Sequence, residues 1–177
     1  ARGYGIIPDR FHPSLNVDEL AARKKPLSFV YISSPERGLE NLLILFRLVV
    51  SEFPEATLHI ASKLTEGTHD KELQLISALN EDFKCKVEGQ KNRVTVYGNI
   101  PQAEVAILLL ESEYWMYPTD WEETYCMSAH EAQAAGCISL ASDLAALKDT
   151  VGTRGILLPQ PERDPKFAEK YLASIQK

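Results

Sequence analysis

Apolar positions along the chain fall into short runs that alternate with longer stretches of helical periodicity. Residues 27–33 read as a buried strand, followed by the turn Pro35-Glu36-Arg37-Gly38 and an apolar-periodic helix that reaches Phe53. A second strand over 56–61 leads through a polar loop to a helix over 69–83, and residues 93–97 make a third strand. Gly98-Asn99-Ile100-Pro101 interrupts the chain. A helix over 102–111 precedes a fourth strand at 114–117 and a loop at 118–123. The next helix has Thr124 as its candidate N-cap and Gly136 as its C-terminal cap. Residues 138–141 then form a fifth strand, 144–150 a short helix, 155–158 a sixth strand, and 164–176 a final helix.

Strands that alternate with helices through six units predict an α/β fold with a mostly parallel six-stranded sheet, because parallel neighbours need a crossover and the crossover helices cover both faces. Right-handed crossovers make such a sheet Rossmann-like. In sheets of this kind ligands settle at the carboxyl ends of the strands. The turn at 33–38, the turn at 61–63 and the loop at 118–123 all fall there, so their residues are expected to converge.

Composition narrows the function classes. An apolar share of 45% with 25% charged residues is that of an ordinary globular protein, and at 177 residues the chain can bury a full core. Its longest apolar stretches, 42–46 and 106–110, are far below the roughly 20 residues of a membrane-spanning helix. The net charge of −6 argues against nucleic acid as a partner, and between 111 and 150 eight acids face Lys148 as the only strong base. A small phosphorylated ligand stays compatible, since a helix N-terminus and one or two cations can hold a diphosphate. Cys85, Cys126 and Cys137 lack metal-ligand or CxxC spacing, which points to free thiols in a reducing compartment such as the cytoplasm. The chain begins at Ala1 without methionine and without a signal segment, the expected form of a piece of a longer protein.

The densest chemistry lies between Asp120 and Gly136, where Glu123 and Glu131 stand eight residues apart around a helix start. Carboxylates there accept hydrogen bonds from ligand hydroxyls, while the free N–H groups of a first helical turn suit an anion. Were all eight residues helical, they would rise about 12 Å, roughly the ribose-to-sugar span of a nucleotide-sugar. Glutamates are more often solvated helix-face residues, but Ala129, Ala132, Ala134 and Ala135 surround Glu131 with small side chains that let a helix pack closely. Arg37, just after the first strand, can clamp a phosphate with its guanidinium fork. Lys63 follows the second strand and is the weaker candidate, since loop lysines are mostly solubilising charges. Five of the fifteen aromatic residues sit between Tyr114 and Tyr125. Most are expected in the core, with Trp121 and Tyr125 placed to meet a ligand. His130 has no metal-binding or general-base spacing and is read as structural.

Neither G-x-G-x-x-G nor G-x-x-x-x-G-K-[ST] follows the first strand, where Ser33-Ser34-Pro35-Glu36-Arg37-Gly38 stands instead, so dinucleotide oxidoreductase and P-loop chemistry lose support. A receiver domain needs acids by the first strand, and 27–34 has no aspartate. The segment Glu123-Thr124-Tyr125-Cys126-Met127-Ser128-Ala129-His130-Glu131-Ala132-Gln133-Ala134-Ala135-Gly136 resembles the E-[ST]-[FY]-G-x-x-x-x-E-A-x-A-x-G signature of family 4 retaining glycosyltransferases, specifically their C-terminal, donor-binding half of a GT-B fold. Ile7-Pro8-Asp9-Arg10-Phe11 is similar to that family's interdomain segment.

The resemblance implies a division into an interdomain segment over 1–26 and a nucleotide-sugar-binding domain over 27–177. It implies transfer of a hexose-type sugar from a nucleoside-diphosphate sugar, which is substrate, with no separate cofactor and no metal. Arg37 and Glu123 take the catalytic roles, Arg37 on the diphosphate and Glu123 on donor-sugar hydroxyls, with Glu131 on the ribose. Ser34, Lys63, Thr124, Tyr125, Cys126, Met127 and Ser128 complete the implied donor site, and an acceptor-binding N-terminal domain is the missing partner. Two positions depart from the family pattern: Ser33-Ser34 replaces the usual Gly-Arg, and Cys126 stands for the glycine beside the donor sugar. They leave room for another reading, a non-catalytic interaction module that keeps the fold.

Overall fold

The computed structural model describes residues 17–160 and 166–175, so the segment 7–11 lies outside the described residues. The strands are β1 (Lys25–Tyr31), β2 (Thr57–Ile60), β3 (Val94–Val96), β4 (Ser112–Tyr117), β5 (Ile138–Ser142) and β6 (Ile156–Leu158). They pair in the order β3-β2-β1-β4-β5-β6, and every pairing is parallel. The α/β Rossmann-like expectation is therefore met, with the change of winding direction between β1 and β4. The helices are α1 (Val17–Arg23), α2 (Leu39–Glu52), α3 (Asp70–Asp82), α4 (Gln102–Glu111), α5 (Met127–Ala134), α6 (Leu147–Thr150) and α7 (Phe167–Ala173). Helix α2 packs against α3 and α7, whereas α4 packs against α1 and α5. Right-handed crossovers put these two groups on opposite faces of the sheet.

Central strands read as continuous apolar runs because both faces are covered. Phe29, Val30, Tyr31 and the whole of 114–117 are fully buried, and Phe29 stacks on Tyr114 at 4.9 Å between centroids. Helix α2 buries Leu39, Leu42, Leu43, Phe46 and Val50 on this core, the i, i+3, i+4 stripe that its sequence predicts. Arg93, at the entry to β3, is also buried; its guanidinium donates to the carbonyls of Ala56, Phe83 and Lys84 at 2.7–3.3 Å, fastening the end of α3 to the start of β2.

Several boundaries differ from the periodicity. Strand β1 starts at Lys25 rather than 27, because Leu27 at φ 54° forms a bulge and gives its N–H to Glu113 Oε2 at 2.7 Å. Helix α1 has no counterpart in the expected elements; Leu20 packs against the core from it. Helix α6 begins at Leu147 rather than 144, after Ala145 at φ 44°. In the expected tail helix the described helical part is Phe167–Ala173.

Two glycines hold left-handed backbone that favours a residue without a Cβ. Gly136 at φ 74° ends α5 in a Schellman arrangement, with its N–H on Gln133 O at 3.0 Å and that of Cys137 on Ala132 O at 2.9 Å. Gly38 at φ 105° joins the single turn Pro35–Arg37 to α2, and a Cβ there would lie 2.7 Å from Pro118 O.

Candidate functional site

A cleft of about 900 Å³ opens at the carboxyl ends of β1, β2 and β4. Ser34, Arg37, Lys63, Glu123, Thr124, Tyr125, Cys126, Met127, Ser128 and Glu131 all line it, whereas Trp121, also expected to meet a ligand, is not part of its lining. Ser33 and Ser62, from two of the turns expected to converge, line it as well, and so do Thr65, His69, Asn99 and Gln102, which sequence patterns did not single out. They are ordinary polar residues in loops after β1, β2 and β3 and at the start of α4; no local periodicity marks them.

The loop 118–126 does not become a helix start at Thr124. Helix α5 begins at Met127, and the N-cap is Cys126 at φ 57°, with no side-chain capping bond. The physical reason lies in Glu123, which is drawn off the helix axis. Its carbonyl accepts the N–H of Ala146 at 3.2 Å and its carboxylate is held in the core wall. The first half of the Glu123–Glu131 interval is thus a non-helical loop, and the helical rise of about 12 Å does not apply between them. Cys126 itself is buried with Sγ 3.4 Å from Ser128 Oγ, and burial raises its thiol pKa. Met127 and Ser128, the first two residues of α5, line the cleft at a helix start, where N–H groups have no partner one turn back, while the Ala129 N–H donates to Cys126 O at 3.2 Å.

Arg37 and Glu123 meet directly. Arg37 Nη1 donates to Oε1 at 3.0 Å and to Oε2 at 3.1 Å. Glu123 is buried, and Oε1 also accepts the Tyr117 hydroxyl at 2.6 Å. Burial first, then this bond to Glu123, pushes the Tyr117 phenol pKa far up, so it stays a donor. Ser33 Oγ lies 3.3 Å from the same hydroxyl. Tyr117 was expected to be simple core; it is core, and it also anchors a cleft carboxylate. Because Arg37 spends only Nη1 on Glu123, its Nε remains buried without a hydrogen-bond partner among the described residues. Trp121 is exposed beside the cleft with its ring 5.4 Å from Arg37 Cζ, a cation–π contact.

Deeper along α5, Glu131 Oε1 accepts Gln102 Nε2 at 2.5 Å. Tyr125 is exposed and tilts over the His130 ring at 4.8 Å. Across the cleft, His69 Nδ1 accepts the Thr65 N–H at 3.0 Å, which selects the tautomer with hydrogen on Nε2. Among the described residues no group of three His, Cys, Asp or Glu side chains could hold a metal ion. No described helix is long and apolar enough to cross a membrane.

Chemically, the cavity offers cations and helix-start amides to an anion, and the carboxylates of buried Glu123 and half-buried Glu131 to hydroxyls. The family model for glycosyl transferases group 1 matches residues 27–177. No curated protein matches the chain. Among solved structures, sucrose-phosphate synthase from Thermosynechococcus elongatus superposes with a TM-score of 0.67 at 21% identity, over 97% of this chain and 41% of that one. A glycosyltransferase from Rickettsia africae gives 0.68 at 16% identity, over 97% of this chain and 46% of that one. The pneumococcal O-GlcNAc transferase GtfA, solved with UDP and GlcNAc, gives 0.63 at 18% identity, over 86% of this chain and 28% of that one. At such identities the likeness is one of fold, and the chain spans less than half the length of each of these structures.

Proposed function

The chain belongs to the group 1 glycosyl transferases, and from that premise we propose that residues 27–177 are the C-terminal, donor-binding half of a family 4 retaining enzyme of the GT-B type. It binds a nucleoside-diphosphate sugar for transfer of a hexose-type group to an acceptor held by a separate N-terminal domain, in the cytoplasm. The observation that supports this best is the convergence of Ser34, Arg37, Lys63, 123–128 and Glu131 on one cleft at the carboxyl ends of parallel strands.

In this reading the diphosphate lies against the start of α5, where free N–H groups and the helix dipole favour negative charge. Arg37 supplies the charge-assisted contact, and its unpartnered Nε gains an acceptor when an anion arrives. As the bond from sugar to phosphate breaks, negative charge grows on the departing diphosphate. Donors already pointed at that oxygen stabilise the transition state more than the ground state. Glu123 and Glu131 accept from sugar and ribose hydroxyls.

Isothermal titration of the whole chain with UDP-, GDP- and ADP-sugars tests the proposal: one of them binds, and Arg37→Ala weakens it by about 1.5–3 kcal/mol, the range for a hydrogen bond to a charged group. Absence of binding to the whole panel would overturn it. A second reading, a non-catalytic interaction module, draws on the Arg37–Glu123 ion pair, which already neutralises the main cation of the cleft. Thermal-shift neutrality toward every nucleotide-sugar would favour that module.

A further inference from the structure

The cleft holds its principal cation and a buried carboxylate in direct contact, and this has consequences for which anion can stay. Glu123 cannot swing away from Arg37 freely. Its Oε1 is tied to the hydroxyl of Tyr117, a fully buried residue at the end of β4, at 2.6 Å. Any phosphate that takes Arg37 does so next to a fixed negative charge. We propose that Glu123 discriminates by charge, accepting the intact donor through sugar hydroxyls that hydrogen-bond its carboxylate, and repelling the spent nucleoside diphosphate, whose terminal phosphate carries one more negative charge. This rests on the donor-site reading given above.

The chemistry supplies that extra charge. In the transfer the bond between the anomeric carbon and the terminal phosphate oxygen breaks, and its electron pair stays on the phosphate. The acceptor oxygen bonds to the anomeric carbon and loses its proton, which passes to solvent at neutral pH because the last ionisation of a phosphate monoester lies near 6. The product therefore differs from the donor in two ways at the same spot: hydroxyls that faced Glu123 have left, and charge facing Glu123 has grown. Both changes weaken product binding. Among the described residues Oε2 of Glu123 meets only Arg37 Nη1, at 3.1 Å, so it keeps a lone pair for a sugar hydroxyl. The same carboxylate is thus a hydrogen-bond acceptor for the donor and a repulsive neighbour for the product, a use of unfavourable contact to set selectivity.

The test is isothermal titration of the whole chain with UDP, GDP and ADP, and with the β-methyl ester of whichever diphosphate binds. The ester removes the extra charge without adding sugar hydroxyls. Wild-type protein is expected to bind the ester about tenfold tighter than the free diphosphate, the scale of one partly screened charge contact. Glu123→Gln is expected to raise free-diphosphate affinity about tenfold and to close the gap to the ester. Equal affinity of the wild type for ester and free diphosphate overturns the inference without any variant having to fold, as does a Glu123→Gln protein that is folded by its melting curve and binds free diphosphate more weakly. Wild-type protein that binds no nucleotide or nucleotide-sugar at all removes the donor-site reading, and this inference with it.

Discussion

Gln102 and Glu131 are joined across the floor of the cleft: Nε2 of the first residue of α4 donates to Oε1 in the middle of α5 at 2.5 Å. The bond holds the carboxylate toward the cavity rather than along the helix face, with Ala129 and Ala132 fully buried beneath it. Glu131→Ala should weaken nucleotide-sugar binding by about 1.5–3 kcal/mol in isothermal titration. Gln102→Ala, which removes only the amide that aims it, should cost about 1 kcal/mol. Full affinity in Glu131→Ala would end its role in the site.

Gly38→Ala should destabilise the fold by at least about 2 kcal/mol in urea unfolding, since it adds a positive-φ penalty to a backbone clash. The Cβ would meet Pro118 O at 2.7 Å and Thr119 Cα at 2.9 Å, neither of which is a flexible side-chain end. An unchanged unfolding midpoint would contradict this packing of the Arg37 turn against the 118–123 loop.

His59 on β2 bonds through Nδ1 to the Tyr97 hydroxyl at 2.9 Å, and burial, reinforced by the Lys25 charge, lowers its pKa from 6.5 to about 4. Between those values the unfolded chain binds the proton more readily than the folded one. Its contribution to stability is therefore complete above pH 6.5 and is lost as pH falls toward 4. Unfolding free energies measured across that window should decline by about 2–3 kcal/mol from this group. His59→Gln should flatten the decline; a slope equal to wild type would refute the assignment.

Thiol reactivity should separate the three cysteines. Cys137 is buried beside the Lys24 ammonium, 3.6 Å from Sγ, yet burial outweighs that charge and pushes its pKa up to about 11. Cys126 is buried too, whereas Cys85 is partly exposed. A native-state reaction with a thiol-specific disulfide reagent should modify Cys85 quickly and the other two only on unfolding, because thiolate fraction and access set the rate. Rapid modification of Cys126 would show that the α5 start opens.

The alternation of strands and helices was legible from residue 27 to 158 because each element carries its own period, and a parallel sheet with right-handed crossovers follows from that order. The glutamate segment was legible because residue types and spacing there are dense. Less readable was anything set by distant partners. Thr124 looked like a cap from its residue type alone; with Glu123 bonded to Tyr117 and Arg37, the chain from 123 to 126 turns as a non-helical loop and Cys126 takes the cap. Tyr117 read as core because an aromatic on a buried strand carries no mark of what its hydroxyl will meet. Thr65, His69, Asn99 and Gln102 reach the cleft because the connections after β2 and β3 leave the sheet at the same edge as those after β1 and β4.

By itself, then, the sequence determined the alternation of strands and helices from 27 to 158, the hand of their crossovers, and that residues after β1, β2 and β4 face a common edge. Those follow from periodicity and backbone chirality, which act over a few residues. Tertiary structure alone decided that Arg37, 86 residues from Glu123, pairs with it, and that Gln102 and Glu131, 29 apart, share a hydrogen bond. A side chain's partner depends on where the sheet register and the helix packing bring the backbone, and no local pattern encodes that distance.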